Sequence, residues 1–278
     1  MKSLAPEVHT NGAHMDITTR IMPVTPHMAK EWLKHNPRNR RQNPQLITQY
    51  VRDMLAGRWQ LNGEAIKISA NGEVLDGQHR LEAIAKADIT VTMLVVEGLP
   101  DTAQDTMDTG RKRSVGDALT IRGEAYSHIL AAVIRRAWQW DLGNRRFTAA
   151  PTPTPSECHA YLDDHPSLRR SSEIGSRVSN GFKVTKASVV GTAHHLFQRI
   201  DQSDTALFMA QLETGADLHA GHPILALRSR FTQDKLEKKS VQFGEEMYAM
   251  IRVWNAVRAG EALTVVKVFP NYKEISPK

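Results

Sequence analysis

The stretch from Ala65 to Ile84 constrains this chain more than any other. Ala65-Ile66-Lys67-Ile68-Ser69 alternates as a strand with one buried face does, and Asn71-Gly72 is the dipeptide that most favours a tight hairpin turn. Glu73-Val74-Leu75 reads as the returning strand. After Asp76-Gly77 the apolar period changes from two to that of a helix, through Leu81, Ile84 and Ala85. A hairpin that hands its chain straight to a helix rules out an all-helical fold. It also sets a helix N-terminus at the end of a strand.

The flanking sequence extends this into a small α/β layer. Ile21–Val24 reads as a short strand, and Pro26–Lys34 as a helix with Thr25 as its N-cap and proline at its first position. Asn36–Arg41 breaks that helix. Asn43-Pro44 opens a second one, whose Leu46, Ile47, Tyr50, Val51, Met54 and Leu55 should bury one face before Gly57 stops it. Ile89–Val96 is a β-branched run of the buried-strand kind. A further helix is expected from Leu99-Pro100-Asp101 to about Thr109-Gly110.

From Ser114 the pattern is helical. Tyr126–Trp140 is one long amphipathic stretch, and Thr154-Pro155-Ser156-Glu157 has the form of a capping box. Further helices are expected at Lys186–Ile200, Asp204–Glu213, Pro223–Thr232 and Val241–Ala259, with a closing strand over Leu263–Phe269. The fold class is therefore α+β. Residues 1–19 are expected as a flexible tail, 20–125 as an α/β domain with a small mixed sheet, and 126–278 as a mostly helical region with a Pro-rich linker near 148–155. No internal repeat is present.

Charge bears on partners. The chain of 278 residues has a formal net charge of +6, and much of the excess is local. Arg20, Lys30, Lys34, Arg38, Arg40 and Arg41 face a single acidic residue, Glu31, in the interval 20–41. Arg111, Lys112 and Arg113 form a second cluster, and Arg135, Arg136, Arg145 and Arg146 a third. A polyanion such as DNA is the expected partner, with Arg38, Arg40, Arg41, Arg111, Lys112 and Arg113 on its backbone. No apolar run approaches the ~18–20 residues that span a bilayer, and the first residues lack the hydrophobic core of a secretory signal. The lone Cys158 excludes an internal disulfide and multi-cysteine zinc. A cytoplasmic protein with no membrane partner is expected, with Cys158 a packed thiol.

The residues that carry chemistry are Leu75-Asp76-Gly77-Gln78-His79-Arg80-Leu81-Glu82-Ala83. Asp-Gly alone reads as a surface turn whose aspartate caps the helix. The longer run says more, because a helix N-terminus presents unpaired N–H groups and the positive end of a dipole to an anion. Gly77 lets the backbone turn and a phosphate approach. His79 and Arg80 add donors, and Asp76 is placed to hold a metal ion, orient His79 or take a proton.

Gly77-x-x-Arg80-x-x-Ala83 resembles the G-x-x-R-x-x-A box of the ParB/sulfiredoxin superfamily, and Asp76-Gly77-Gln78-His79-Arg80 is very similar to the D-G-H-H-R run of the related free-serine kinases. The same D-G-Q-H-R string marks a group of DNA-modification-associated proteins. Asn36-Pro37-Arg38 is similar to the entry segment of ParB domains, and the elements from 20 to 125 follow in the family's order. The resemblance implies a nucleoside triphosphate (CTP or ATP) on Gly77, Gln78, His79 and Arg80. It also implies Mg²⁺ on Asp108, with Lys112 at the family's basic position, although Asp108-Thr109 stands where the family has Glu-Asn. Gln78 stands where sulfiredoxin needs its cysteine, which excludes reductase chemistry. No ParB helix-turn-helix follows. A homodimer through the helical half is the analogy with many ParB-like proteins.

Three functions compete. One is a nucleotide-dependent switch or NTPase acting on or near DNA. Another is a kinase, with Asp76, His79 and Glu64 as its catalytic groups. The third is a DNA-binding regulatory module with a vestigial nucleotide site. Elsewhere, His194-His195 point to different sides of a helix and make no metal pair. His159 and Asp163 lack a third ligand. Trp138, Trp140 and Tyr126 are expected to pack between helices.

Overall fold

A computed structural model of the chain describes residues 16–36, 42–107, 114–148, 150–268 and 274–278. The chain divides into two compact units, Met1–Arg111 and Lys112–Lys278.

The first unit contains β1 (Thr18–Val24), α1 (Pro26–Lys34), α2 (Pro44–Leu55), β2 (Ala65–Ser69), β3 (Val74–Asp76), α3 (Gln78–Ala87), β4 (Val91–Leu99) and a 3₁₀ turn at Asp101–Thr106. The strands form one mixed sheet in the order β1-β4-β2-β3, with β2 parallel to β4 and the other pairs antiparallel. Val24, Ile66, Ile68, Leu81, Ile84, Met93 and Val95 form the core with Ala29 of α1 and Ile47 and Met54 of α2. Local chemistry starts both early helices as expected. Thr25 Oγ1 accepts from Met28 N at 3.2 Å, and Asn43 Oδ1 accepts from Gln45 N and Leu46 N at 3.1 and 3.3 Å.

Several details differ from the sequence reading. β1 begins at Thr18, inside the span expected as tail, because Thr18 and Thr19 pair with Glu97 and Val96. Leu55 is exposed rather than on the buried face of α2. The helix expected after Leu99 is the short 3₁₀ turn, and Thr109-Gly110 lie outside the described residues.

The second unit is built of α4 (Val115–Ile121), α5 (Ser127–Asp141), α6 (Pro155–Asp164), α7 (Leu168–Phe182), α8 (Ala187–Gln198), α9 (Gln202–Thr214), α10 (Pro223–Leu236) and α11 (Phe243–Arg258). α8 is buried on every side from Val189 to Phe197, as the central helix of a bundle must be. It lies close against α7 because Gly175 has no side chain. A Cβ there would stand 2.4 Å from the Ala187 carbonyl oxygen and 3.1 Å from Gly191 Cα. Phe197, Phe208 and Trp254 stack at the centre, with Phe197 and Trp254 ring centroids 4.3 Å apart.

α4 belongs to this unit, so the division falls ahead of the boundary expected at 125. Leu119 packs with Leu130 and Ile134 of α5, and Thr120 Oγ1 lies 2.6 Å from Ser127 Oγ. The prolines of 148–155 do not form a free linker. The side chain of Gln139, fully buried, donates to the carbonyls of Thr148 and Pro151 at 3.0 and 2.9 Å, fastening the loop to α5. Nor do residues 263–268 form a strand. Val266 is buried, and its carbonyl accepts from Arg230 Nη1 at 2.9 Å, a side-chain partner in place of a neighbouring strand. Trp140 is buried, but Tyr126 is 47% exposed and heads α5 in the left-handed conformation. Cys158 is a buried thiol.

Candidate functional site

The site grows from the β3–α3 junction. β3 ends on Asp76, and Gly77 turns the chain at φ +100°, a conformation that side chains with a Cβ avoid. Space makes the same demand. A Cβ on Gly77 would stand 3.1 Å from both Cα and Cγ1 of Ile66 on β2. Packing therefore accounts for this glycine even before any ligand is considered.

Asp76 and Arg80 are the centre of a polar network below this turn. Asp76 Oδ1 accepts from Gly77 N at 2.7 Å, and its Oδ2 accepts from Lys67 Nζ at 3.1 Å and Arg80 Nη2 at 3.2 Å. Burial alone would raise the Asp76 carboxyl, but Arg80, Lys67 and the Gly77 N–H together hold it below the usual aspartate value. Asp76 is thus an ionised acceptor rather than a poised base. The guanidinium of Arg80, 7% exposed, also donates from Nη2 to the Ala65 carbonyl at 2.8 Å and from Nη1 to Glu64 Oε2 at 3.3 Å. Its buried Nε has no hydrogen-bond partner among the described residues.

The next side chains of the motif point to the start of α2. Gln78 and His79 are 4% and 7% exposed. Gln78 Oε1 accepts from Asn36 Nδ2 at 3.2 Å, and His79 Nε2 accepts from Asn43 N at 2.9 Å. That acceptance leaves Nε2 unprotonated and places the ring proton on Nδ1. One turn on, Glu82 accepts from Gln42 Nε2 at 2.6 Å. The first turns of α3 therefore grip the chain on both sides of the interval 37–41.

The structure brings together Asp76, Glu64 and Arg80, and gives Gln78 and His79 separate tasks, Gln78 on Asn36 after α1 and His79 on Asn43 at the start of α2. Arg38, Arg40, Arg41, Asp108, Arg111, Lys112 and Arg113 lie outside the described residues. The chain leading to Asp108 is fixed near the junction, since Gln104 Nε2 donates to the Leu75 carbonyl at 3.2 Å and Asn71 Nδ2 to Asp101 Oδ2 at 2.8 Å. The third basic cluster is taken up by packing. Arg136 donates to Gln139 Oε1 and the Phe147 carbonyl and lies 4.4 Å over the Phe243 ring, and burial lowers its pKa to about 10. Arg145 covers Trp140, and Arg146 pairs with Glu274.

Sequence reasoning missed Lys67, although the signal was present. Lys67 stands directly across the hairpin from Asp76, and opposite charges in register attract. It also missed Asn36, Gln42 and Asn43 as partners of α3, because nothing local joins them to it. Among the described residues no group of three or more histidine, cysteine or acidic side chains is placed to hold a metal ion. His159 Nδ1 lies 2.7 Å from Arg122 Nη1 instead. No described helix is long and apolar enough to cross a membrane. No protein-family model, no curated protein and no solved structure matches this chain.

Proposed function

We propose that the first unit is a ParB/sulfiredoxin-like nucleotide-binding domain and that the protein is a nucleotide-dependent, DNA-associated switch or NTPase. The observation that carries this is the placement of Gly77. It heads a ten-residue helix at the end of a strand, and the Asp76–Lys67–Arg80 network fixes the direction of that helix. A phosphate would be received at the first turn of α3, where the positive end of the helix dipole lies. In this reading Arg80 orders the turn, and Asp108 would hold a Mg²⁺ ion that offsets the phosphate charge of CTP or ATP. The basic residues Arg38, Arg40, Arg41, Arg111, Lys112 and Arg113 meet the DNA backbone. Charge supports a polyanion partner further along the chain. Residues 1–111 hold 13 basic and 13 acidic side chains, whereas 112–278 hold 23 and 17, so the whole surplus falls in the helical unit.

A phosphotransferase is the second reading, favoured by the meeting of two carboxylates on one guanidinium. Arg80 lies 3.2 Å from Asp76 and 3.3 Å from Glu64. Asp76, held ionised, would orient metal or phosphate. Glu64, 63% exposed, would be the carboxylate within reach of an acceptor hydroxyl.

Titration calorimetry with CTP, ATP, GTP and ADP in the presence of Mg²⁺ tests both readings, with amide chemical shifts recorded in parallel. One nucleotide should bind, and the largest shifts should centre on Gln78–Leu81. CTP supports the switch, whereas ATP or ADP supports the kinase. If none binds with or without DNA, the nucleotide reading is refuted, and a DNA-binding module with a vestigial site takes its place.

A further inference from the structure

The segment Glu274–Lys278 lies on α11 in the way a bound peptide lies on its receptor. It is neither helix nor strand, and its exposure alternates. Ile275 and Pro277 are half-buried, whereas Glu274, Ser276 and Lys278 are exposed. That is the period-two pattern of an extended chain laid on a surface. Asn255 reads its backbone from both sides of Pro277. Asn255 Nδ2 donates to the Ser276 carbonyl at 2.9 Å, and its Oδ1 accepts from Lys278 N at 2.9 Å. Trp254 Nε1 donates to the Lys278 carbonyl at 2.9 Å.

These contacts have the chemistry of peptide recognition. A side-chain amide that donates and accepts at once replaces an adjacent strand and depends little on the ligand's side chains. Trp254 is held from the core side, stacked on Phe197 with ring centroids 4.3 Å apart, and Arg258 lies 5.3 Å from its ring centroid. Pro277 lacks an N–H, but Asn255 takes the groups on either side of it, so proline costs no hydrogen bond there. Selectivity comes from two further positions. Glu274 lies 3.9 Å from Arg146, and Ile275 packs on the core beside a shallow recess lined by Arg145, Met247, Tyr248 and Ile251.

We infer that Trp254, Asn255 and the recess beside Ile275 form a binding site for an extended peptide of the pattern acidic–aliphatic–any–proline–any. Glu274–Lys278 is its resident ligand, exchangeable with the same pattern on another chain. A tethered ligand occupies its site at an effective concentration of order millimolar. A free peptide therefore enters efficiently only when the resident segment is weakened.

The experiment uses the full chain. A fluorescent peptide Lys-Glu-Ile-Ser-Pro-Lys is titrated by polarisation into the unaltered chain, into Ile275→Asp, and into Ile275→Asp combined with Asn255→Ala. The opened chain should bind the peptide about tenfold or more tightly than the unaltered chain, and the added Asn255→Ala should remove that gain. Native-state hydrogen exchange on the unaltered chain gives a second readout that no substitution can spoil. The Lys278 amide and the Trp254 indole N–H should exchange about tenfold or more faster than the core amides of α11, through local opening. Two results would overturn the inference. One is a folded Ile275→Asp chain that ignores the peptide. The other is a Lys278 amide that exchanges only as α11 itself unfolds, which would make the segment a fixed part of the core.

Discussion

Lowering the pH should destabilise the helical unit through two adjacent histidines of α8. His194 and His195 are 9% and 1% exposed. His194 Nδ1 lies 3.0 Å from Ser171 Oγ, whereas among the described residues neither ring nitrogen of His195 has a hydrogen-bond partner. The charged and titratable groups around them are Arg170 and Arg177 of α7, Arg199 beyond the end of α8, His165 between α6 and α7, and Asp141 of α5. Burial, reinforced by the nearby arginines, lowers each imidazole to about 4. The native state therefore holds both rings neutral, while the unfolded chain takes up protons near about pH 6.5. Stability is complete above that value and is lost as the pH falls toward 4. Integrated from about pH 7.5 to about pH 5, each histidine removes about 2 kcal/mol. The pair removes somewhat less than the sum, because neighbouring charges are not independent. Against a typical total of about 5–15 kcal/mol this is a large share.

Urea unfolding followed by far-UV circular dichroism at the two pH values measures the loss. His195→Leu should remove about half of it, and should cost little near neutrality because no hydrogen bond is broken. The shifted carboxylates of the unit do not add to this loss. Asp141 is pushed up by burial, but Tyr161 and Arg199 bring it below its ordinary value, so its contribution is lost at lower pH. Glu246, raised by burial, works in the opposite direction. If His195→Leu keeps the full loss between the two pH values, the buried neutral imidazole is not its cause.

Three substitutions test the packing and the junction. Gly77→Ala should cost about 1–3 kcal/mol in urea unfolding, since it combines a left-handed backbone with contact on Ile66; an unchanged midpoint would show that the turn relaxes. Gly175→Val should cost about 3 kcal/mol or more by forcing α7 from α8, and thermal unfolding would register it. Arg80→Met should cost about 3 kcal/mol by leaving Asp76 buried with Lys67 alone as its cation, and adding Asp76→Asn should recover about 1 kcal/mol or more. Additive costs in that double-mutant cycle would mean that the two side chains act separately.

What was legible in the sequence was local. Thr25-Pro26, Asn43-Pro44 and Asn71-Gly72 mark element ends by their own chemistry. The capping box at Thr154 forms as read, with Thr154 N donating to Glu157 Oε2 at 2.8 Å and Glu157 N to Thr154 Oγ1 at 3.1 Å. α7 was hard to single out because much of its buried face is Ser171, Ser172 and Gly175, residues without an apolar signature. Leu263–Val268 has a strand's composition, but a strand needs a neighbour, and composition does not say whether one exists. The motif from Asp76 to Arg80 falls at a strand-to-helix junction, as its spacing indicated. Its direction was not written there. The same i, i+4 pair that can reach outward to a phosphate reaches inward here, to β2.

That inward direction bears on what the motif is for. Burying a carboxylate, a guanidinium and a lysine within one network is a weak way to gain stability, since apolar residues of similar volume often do as well or better. What such a network supplies is direction. Asp76 binds Lys67 and the Gly77 N–H, Arg80 binds the Ala65 carbonyl, and His79 and Gln78 hold the approaches to α2. Each bond fixes the start of α3 relative to a different piece of backbone, so the helix cannot tilt without breaking several at once. The anion site proposed at α3 would draw on that fixed direction, because the interaction with a helix terminus decays within the first turn and depends on where the N–H groups point. The network accounts for the motif by packing alone, and an anion at α3 would meet backbone N–H groups whose direction that packing has already set.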